Sequence, residues 1–161
     1  LRPDDITVTY LNALNENEIV GLTEARHQHW NIANVTQYIK NSNRPGESIL
    51  FRISLKEVDK PIGNIRLFNF HELYNRAELS FLFYDKEEWG KGYATEALET
   101  VVNYAFKSLK LHRIYADYYE LNARSGRVFE KLGFEMEGVF RDHFIIDDVY
   151  IDSVRVGKIA K

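Results

Sequence analysis

Ala94, Ala97, Leu98, Val101, Val102, Ala105 and Phe106 recur at i, i+3, i+4, i+7, i+8, i+11 and i+12. Only an α-helix gathers that spacing onto one stripe, and a stripe of that length needs a surface to cover it. The runs on either side supply one. Upstream, 48–56, 62–70 and 77–84 read as strands separated by Asp59-Lys60-Pro61 and by the polar stretch 71–76, and such short connections make an antiparallel meander. Downstream, 113–119 reads as a strand and 123–132 as a helix capped by Asn122 and stopped by Gly133, with 136–158 as two strands joined at Asp147-Asp148. At the N-terminal end, 6–11 alternates in the strand manner, while 16–26 and 35–41 read as helices, the second with Asn34 as its N-cap. This order predicts an α/β (α+β) fold with a mixed, largely antiparallel, twisted sheet and helices on both faces, and lacks the regular alternation of a doubly wound domain.

The 161 residues contain no internal repeat, and the three prolines, Pro3, Pro45 and Pro61, lie far apart. One domain, 1–161, is therefore expected. With 45% hydrophobic and 28% charged residues the composition is that of a globular protein. No run approaches the ~20 apolar residues of a membrane span, and Leu1-Arg2-Pro3-Asp4-Asp5 lacks the basic start of a signal peptide, so a cytoplasmic protein without a membrane partner is expected. The absence of cysteine excludes disulfides, a thiolate metal site and an acyl group carried on a protein thiol, and no metal is expected. A net charge of -3 speaks against nucleic acid as a partner. Assembly is expected to go no further than a monomer or a homodimer.

Between the strand at 77–84 and the long helix stands Trp89-Gly90-Lys91-Gly92-Tyr93-Ala94-Thr95. Two glycines one residue apart remove the side chains that keep an anion from the backbone, and the outward N–H groups of a helix N-terminus are electropositive. A pyrophosphate fits such a turn. The spacing alone also allows glycines that merely let a strand turn into a helix. A P-loop would need its lysine after the second glycine, and a dinucleotide fingerprint would need a small residue where Thr95 stands, with parallel strands before it.

The segment resembles the acetyl-CoA-binding motif of the GNAT acetyltransferases, [QR]-x-x-G-x-[GA], with Glu87 in the Gln/Arg position. Resemblance extends through Pro61-Ile62-Gly63-Asn64-Ile65, Arg76-Ala77-Glu78-Leu79, Leu111-His112-Arg113-Ile114, Asn122, and Glu130-Lys131-Leu132-Gly133-Phe134 followed by Glu137-Gly138. It is similar above all to the Rim-type subgroup, which includes ribosomal-protein, polyamine and amino-sugar N-acetyltransferases. The resemblance implies a sheet splayed into a V between the strands 77–84 and 113–119, with acetyl-CoA as cosubstrate and an amine as acceptor. It implies cofactor contacts at Phe81, Leu82, Phe83, Trp89, Gly90, Lys91, Gly92, Tyr93, Ala94, Thr95 and Asn122.

Acetyl transfer needs a base for the ammonium, a donor for the oxyanion and a proton for the leaving thiolate, whose reference pKa is about 8.5. Within the implied fold Glu78 is the candidate base, with His71 and His143 in reserve, and pairing with Arg76 is its structural alternative. Many family members supply the thiolate's proton from a tyrosine where this chain has Phe129, so the resemblance carries that role to Ser125, which could equally be a first-turn serine bonding the backbone. The acceptor pocket is expected from 24–30, 71–76 and Arg141-Asp142-His143. Cationic, imidazole and aromatic groups within 24–30 suit an anionic acceptor better than a polyamine. The stretch 7–26 also resembles members associated with polysaccharide or flagellar sugar biosynthesis, and that resemblance makes an amino-sugar nucleotide the leading acceptor, ahead of a protein N-terminus and of a small amine. A module that binds CoA without catalysis is the alternative of another class.

Overall fold

The computed structural model describes residues 1–161. Its elements are α1 (Val8–Ala13), α2 (Asn17–Val20), α3 (Ile32–Asn41), β1 (Ser48–Leu55), β2 (Lys60–His71), β3 (Arg76–Phe83), α4 (Tyr93–Lys107), β4 (Arg113–Tyr119), α5 (Ala123–Lys131), β5 (Glu135–Ile146) and β6 (Val149–Ile159). The strands form one mixed sheet in the order β1-β2-β3-β4-β6-β5. Pairing is antiparallel for β1 with β2, β4 with β6 and β5 with β6, and parallel for β3 with β4. The chain divides into two compact units, Leu1–Phe70 with Ser80–Tyr93, and His71–Leu79 with Ala94–Lys161. No helix is long and apolar enough to cross a membrane.

In the first unit, the expected strand at 6–11 is helix α1 instead. The Thr7 hydroxyl accepts from the Tyr10 N–H and starts a helix, which buries Tyr10 and Ala13 on one face. Six residues are too few for an alternating pattern to outweigh a cap and an i, i+3 buried pair. The helix expected at 16–26 is broken into α2 and a 3-10 turn at Glu24–His27, because the Thr23 hydroxyl donates to the Val20 carbonyl and accepts from the Ala25 N–H. Helix α3 begins one turn earlier than expected: Asn31 is its N-cap, and Asn34 sits at the third helical position with its side chain returned to the Asn31 N–H.

The core of this unit gathers Tyr10, Ala13, Leu14, Val20, Trp30, Val35, Ile39, Leu50 and Tyr84, with Leu82 packed against it. Each fully buried aliphatic side chain among them contributes about 1.5–3 kcal/mol. The Tyr10 and Tyr84 rings lie 4.9 Å apart, and Asn64 Nδ2 donates to Tyr10 Oη at 3.3 Å. Burial, above all, pushes the Tyr10 phenol far above its ordinary range.

In the second unit, β4 spans the residues expected of it and pairs along its whole length with β6, from Arg113 opposite Ile159 to Tyr119 opposite Ser153. Asp147 and Asp148 turn the β5–β6 hairpin at φ 49° and 63°, the double left-handed turn that matches the twist of paired strands. Gly133, at φ 71°, lets the chain leave α5. The parallel ladder of β3 with β4 has three rungs, Arg76 with Arg113, Ala77 with Ile114 and Glu78 with Tyr115.

Candidate functional site

Of the sequence-predicted site residues, those from Phe81 to Tyr93 lie in the first unit, and Glu78, Ala94, Thr95, Asn122 and Ser125 in the second. In the first, β3 delivers the half-buried Phe81, Leu82 and Phe83. Tyr84 N–H donates to the Ile62 carbonyl at 3.0 Å, and the Asp85 side chain accepts from the Glu87 N–H at 3.2 Å, which shapes the turn Lys86–Glu88. Trp89 Nε1 donates to the Phe83 carbonyl at 2.9 Å, so the indole ties the outgoing loop to the end of the strand. Below it the carboxylates are neutralised: Lys60 Nζ stands 2.7 Å from Asp85 Oδ2, and Lys91 Nζ donates to Glu88 Oε2 at 2.9 Å. The Lys91 ammonium is held above its ordinary pKa chiefly by that hydrogen bond with Glu88. Glu87, in the position where the motif carries Gln or Arg, is 86% exposed.

Gly90 and Gly92 adopt φ 78° and 89°, where a side chain is strained, although a Cβ at either would meet nothing within 4 Å. Backbone conformation, and not crowding, demands glycine at both places. Helix α4 starts directly after Gly92. By contrast, α1, α3 and α5 each begin on a side chain, Thr7, Asn31 and Asn122, that accepts one of the helix's own N–H groups. Gly92, at the corresponding place before α4, has no side chain to make such a bond, and the first N–H groups of a helix have no partner within the helix itself. That is the arrangement a phosphate uses.

In the second unit, Glu78 is half-buried on β3 and hydrogen-bonds the Tyr115 phenol on β4. Tyr115 is held above its ordinary pKa by burial first and by the Glu78 carboxylate second. Arg76, the partner considered from sequence, lies over the Tyr74 ring at 5.4 Å. Asn122 Oδ1 accepts from the Ser125 N–H at 3.2 Å, which places Ser125 in the first turn of α5, half-buried. Phe129 is 2% exposed and packs on Tyr118 and Phe134. His71 stacks on Tyr74 at 4.3 Å, whereas His143 lies on the exposed hairpin against Phe140 and Phe144.

Trp30 does not fit the role expected from 24–30. Its ring is 6% exposed in the core, edge-on to Tyr38, and its Nε1 donates to the Ala25 carbonyl at 2.7 Å. No face is left for a base or sugar to stack on. Sequence reasoning missed Tyr115 and the arginines around it. The alternation of Arg113, Tyr115 and Asp117 was the available signal, since alternate residues of a strand share a face.

Residues 1–135 match the model of the acetyltransferase (GNAT) domain family. The chain is 38% identical over 120 residues to the probable N-acetyltransferase YjcK of Bacillus subtilis, a match covering 73% of this chain and 65% of that protein. It is 41% identical over 69 residues to the ribosomal protein uS5-alanine N-acetyltransferase of Escherichia coli, covering 42% of this chain and 36% of that protein. The chain thus spans less than two thirds of the length of these curated relatives. Among solved structures, spermidine N-acetyltransferase from Vibrio cholerae, in complex with CoA and spermine, superposes with a TM-score of 0.81 at 21% identity, covering 92% of this chain and 86% of that one. At that identity the likeness concerns the fold.

Proposed function

Because this chain belongs to the acetyltransferase (GNAT) domain family, we propose that it transfers an acetyl group from acetyl-CoA directly to a primary amine. The observation that carries the reading is the turn at Gly90 and Gly92, two left-handed glycines leading straight into an α-helix. Its backbone N–H groups would hold the pyrophosphate of CoA, with no side chain needed to do it. Trp89, Tyr93, Ala94 and Thr95 are the neighbours expected to line that contact, and Phe81, Leu82, Phe83 and Asn122 those expected along the pantetheine arm. Lys91, already bonded to Glu88, contributes its backbone more than its charge.

Acetyl-CoA brings a thioester carbonyl that a neutral amine can attack. Glu78 is the proposed base. It takes the ammonium proton, directly or through water; the nitrogen then bonds to the carbonyl carbon and the thiolate departs. Ser125 is the proposed relay for the thiolate's proton: it gives its own to the sulfur and recovers one from the acylated nitrogen, which must shed it to become an amide. The buried Phe129, without a hydroxyl, cannot supply it.

A protein or peptide N-terminus is the acceptor this reading favours. The amino-sugar nucleotide expected from sequence loses the stacking surface that 24–30 offered it, since Trp30 is committed to the core. The relatives also carry other substrates in their names, a ribosomal-protein alanine and spermidine. Around the loop expected to flank the acceptor, Leu73 and Tyr74 are 80% and 59% exposed, apolar surface that suits a peptide better than a polycation.

Release of free CoA from acetyl-CoA, measured against Ala- and Ser-starting peptides, spermidine, spermine and amino-sugar nucleotides, tests the proposal. Turnover with a peptide supports it in full. Turnover only with a polyamine or a sugar keeps the reaction and replaces the acceptor. Binding of acetyl-CoA without turnover on any amine points to a non-catalytic CoA module.

A further inference from the structure

Two guanidiniums stand over the Tyr115 ring. Arg113, Tyr115 and Asp117 share one face of β4, and across from Tyr115 and Asp117 on β6 stand Gly157 and Arg155. A Cβ at Gly157 would come within 2.2 Å of Glu137 Oε1. Glycine there leaves the room through which Glu137 reaches back to Arg113, in a two-pronged ion pair. Arg155 donates from Nε to Asp117 Oδ1 at 2.8 Å and from Nη2 to Asp117 Oδ2 at 2.6 Å. Both guanidiniums then lie over the Tyr115 ring, at 5.9 Å for Arg113 and 5.1 Å for Arg155. A guanidinium forked onto a carboxylate has one geometry, and a ring attracted to two such groups has little freedom to turn.

Immobilised in this way, the phenol aims its O–H at Glu78, the last rung of the parallel ladder. A glutamate side chain otherwise swings about three torsions. A donor on the carboxylate removes most of that freedom. The high ionisation range of Tyr115 keeps the phenol protonated and donating throughout the neutral range.

We infer that Tyr115 is the positioning residue for Glu78, and that the Arg113–Glu137 and Arg155–Asp117 ion pairs exist to hold its ring. This rests on the proposed role of Glu78 as base. It assigns a catalytic purpose to a cluster that otherwise resembles surface salt bridges, which contribute little to stability. Tyr115 itself exchanges no proton: the ammonium proton goes to Glu78, and the acetyl carbon changes its bond from sulfur to nitrogen.

The experiment is a double-mutant cycle of Tyr115→Phe and Glu78→Gln, read in kcat with the best acceptor and in KM for acetyl-CoA. Tyr115→Phe should lower kcat on the order of 10-fold, inside the ~100-fold that a misplacement of about 1 Å can cost, with KM for acetyl-CoA unchanged. In the Glu78→Gln background the same change should have no further effect. A carbon-13 tyrosine titration supplies a second reading that needs no turnover. The Tyr115 resonance, identified by its loss in Tyr115→Phe, should ionise at lower pH in Glu78→Gln. Wild-type kcat in Tyr115→Phe, equal losses in both backgrounds, or an unmoved titration would each overturn the inference while leaving acetyl transfer intact. A wild-type protein that binds acetyl-CoA but acetylates no amine would overturn the functional reading, and the positioning role with it.

Discussion

The glycine turn and the Glu78 cluster do their proposed work by opposite means. Around Gly90 and Gly92 the functional groups are backbone N–H donors, placed by two left-handed residues directly ahead of a helix. Around Glu78 they are side chains from four strands, each oriented by the next, from Glu137 and Asp117 through two arginines to Tyr115 and the carboxylate. A backbone site tolerates side-chain loss but not a change of φ. A side-chain site fails when any one link is cut. The two therefore respond differently to mutation, and that difference can be measured.

Glu78→Gln is the substitution with the largest expected effect. Turnover should fall by about 100-fold or more, the usual contribution of a general base, while acetyl-CoA affinity measured by calorimetry stays within about two-fold. A variant with unchanged kcat would break the comparison by removing Glu78 from the mechanism. Gly92→Val comes next. A β-branched residue at φ 89° carries roughly 1–3 kcal/mol of strain, so acetyl-CoA binding should weaken by about 10- to 100-fold even though the space for the side chain is open. Retained affinity would mean that the turn is merely a linker.

Asn122→Ala should cost about 1 kcal/mol in urea unfolding, the value of an N-cap bond. A loss of CoA affinity beyond what that destabilisation explains would show that Asn122 also contacts the ligand. Lys91→Ala sharpens the contrast with the smallest effect. Its ammonium reaches from solvent to the buried Glu88 and is not needed by a turn that acts through its backbone, so acetyl-CoA affinity should change by less than about 5-fold. A larger loss would mean that the lysine leaves Glu88 to meet a phosphate, and that the turn acts through charge as well as backbone.

The two regions also differed in how much of each was legible beforehand. Trp89-Gly90-Lys91-Gly92 is contiguous, its glycines mark left-handed backbone, and the apolar stripe from Ala94 places the helix behind it, so turn and helix could both be read from neighbouring letters. Glu78, Tyr115, Arg155 and Glu137 lie on four strands separated by long stretches of chain, and nothing local joins them. The failure at 6–11 had a different cause. Its alternation was real, but one hydroxyl at Thr7 and the buried pair Tyr10 and Ala13 decided for helix. Trp30 was recognised as an aromatic beside cationic groups, and only packing revealed that its ring and its N–H were already engaged.

The amino-acid sequence by itself determined the order of elements from β1 onward, the strand-to-helix turn with its glycines, the cap at Asn122 and the hairpin at Asp147 and Asp148. Each of these depends on interactions within a few residues, through periodicity, φ preference or a local hydrogen bond. Tertiary structure alone decided that Tyr115 stands against Glu78, that two ion pairs clamp its ring, and that Trp30 belongs to the core. Those outcomes depend on strand register and on which faces are buried, quantities set by contacts between distant segments.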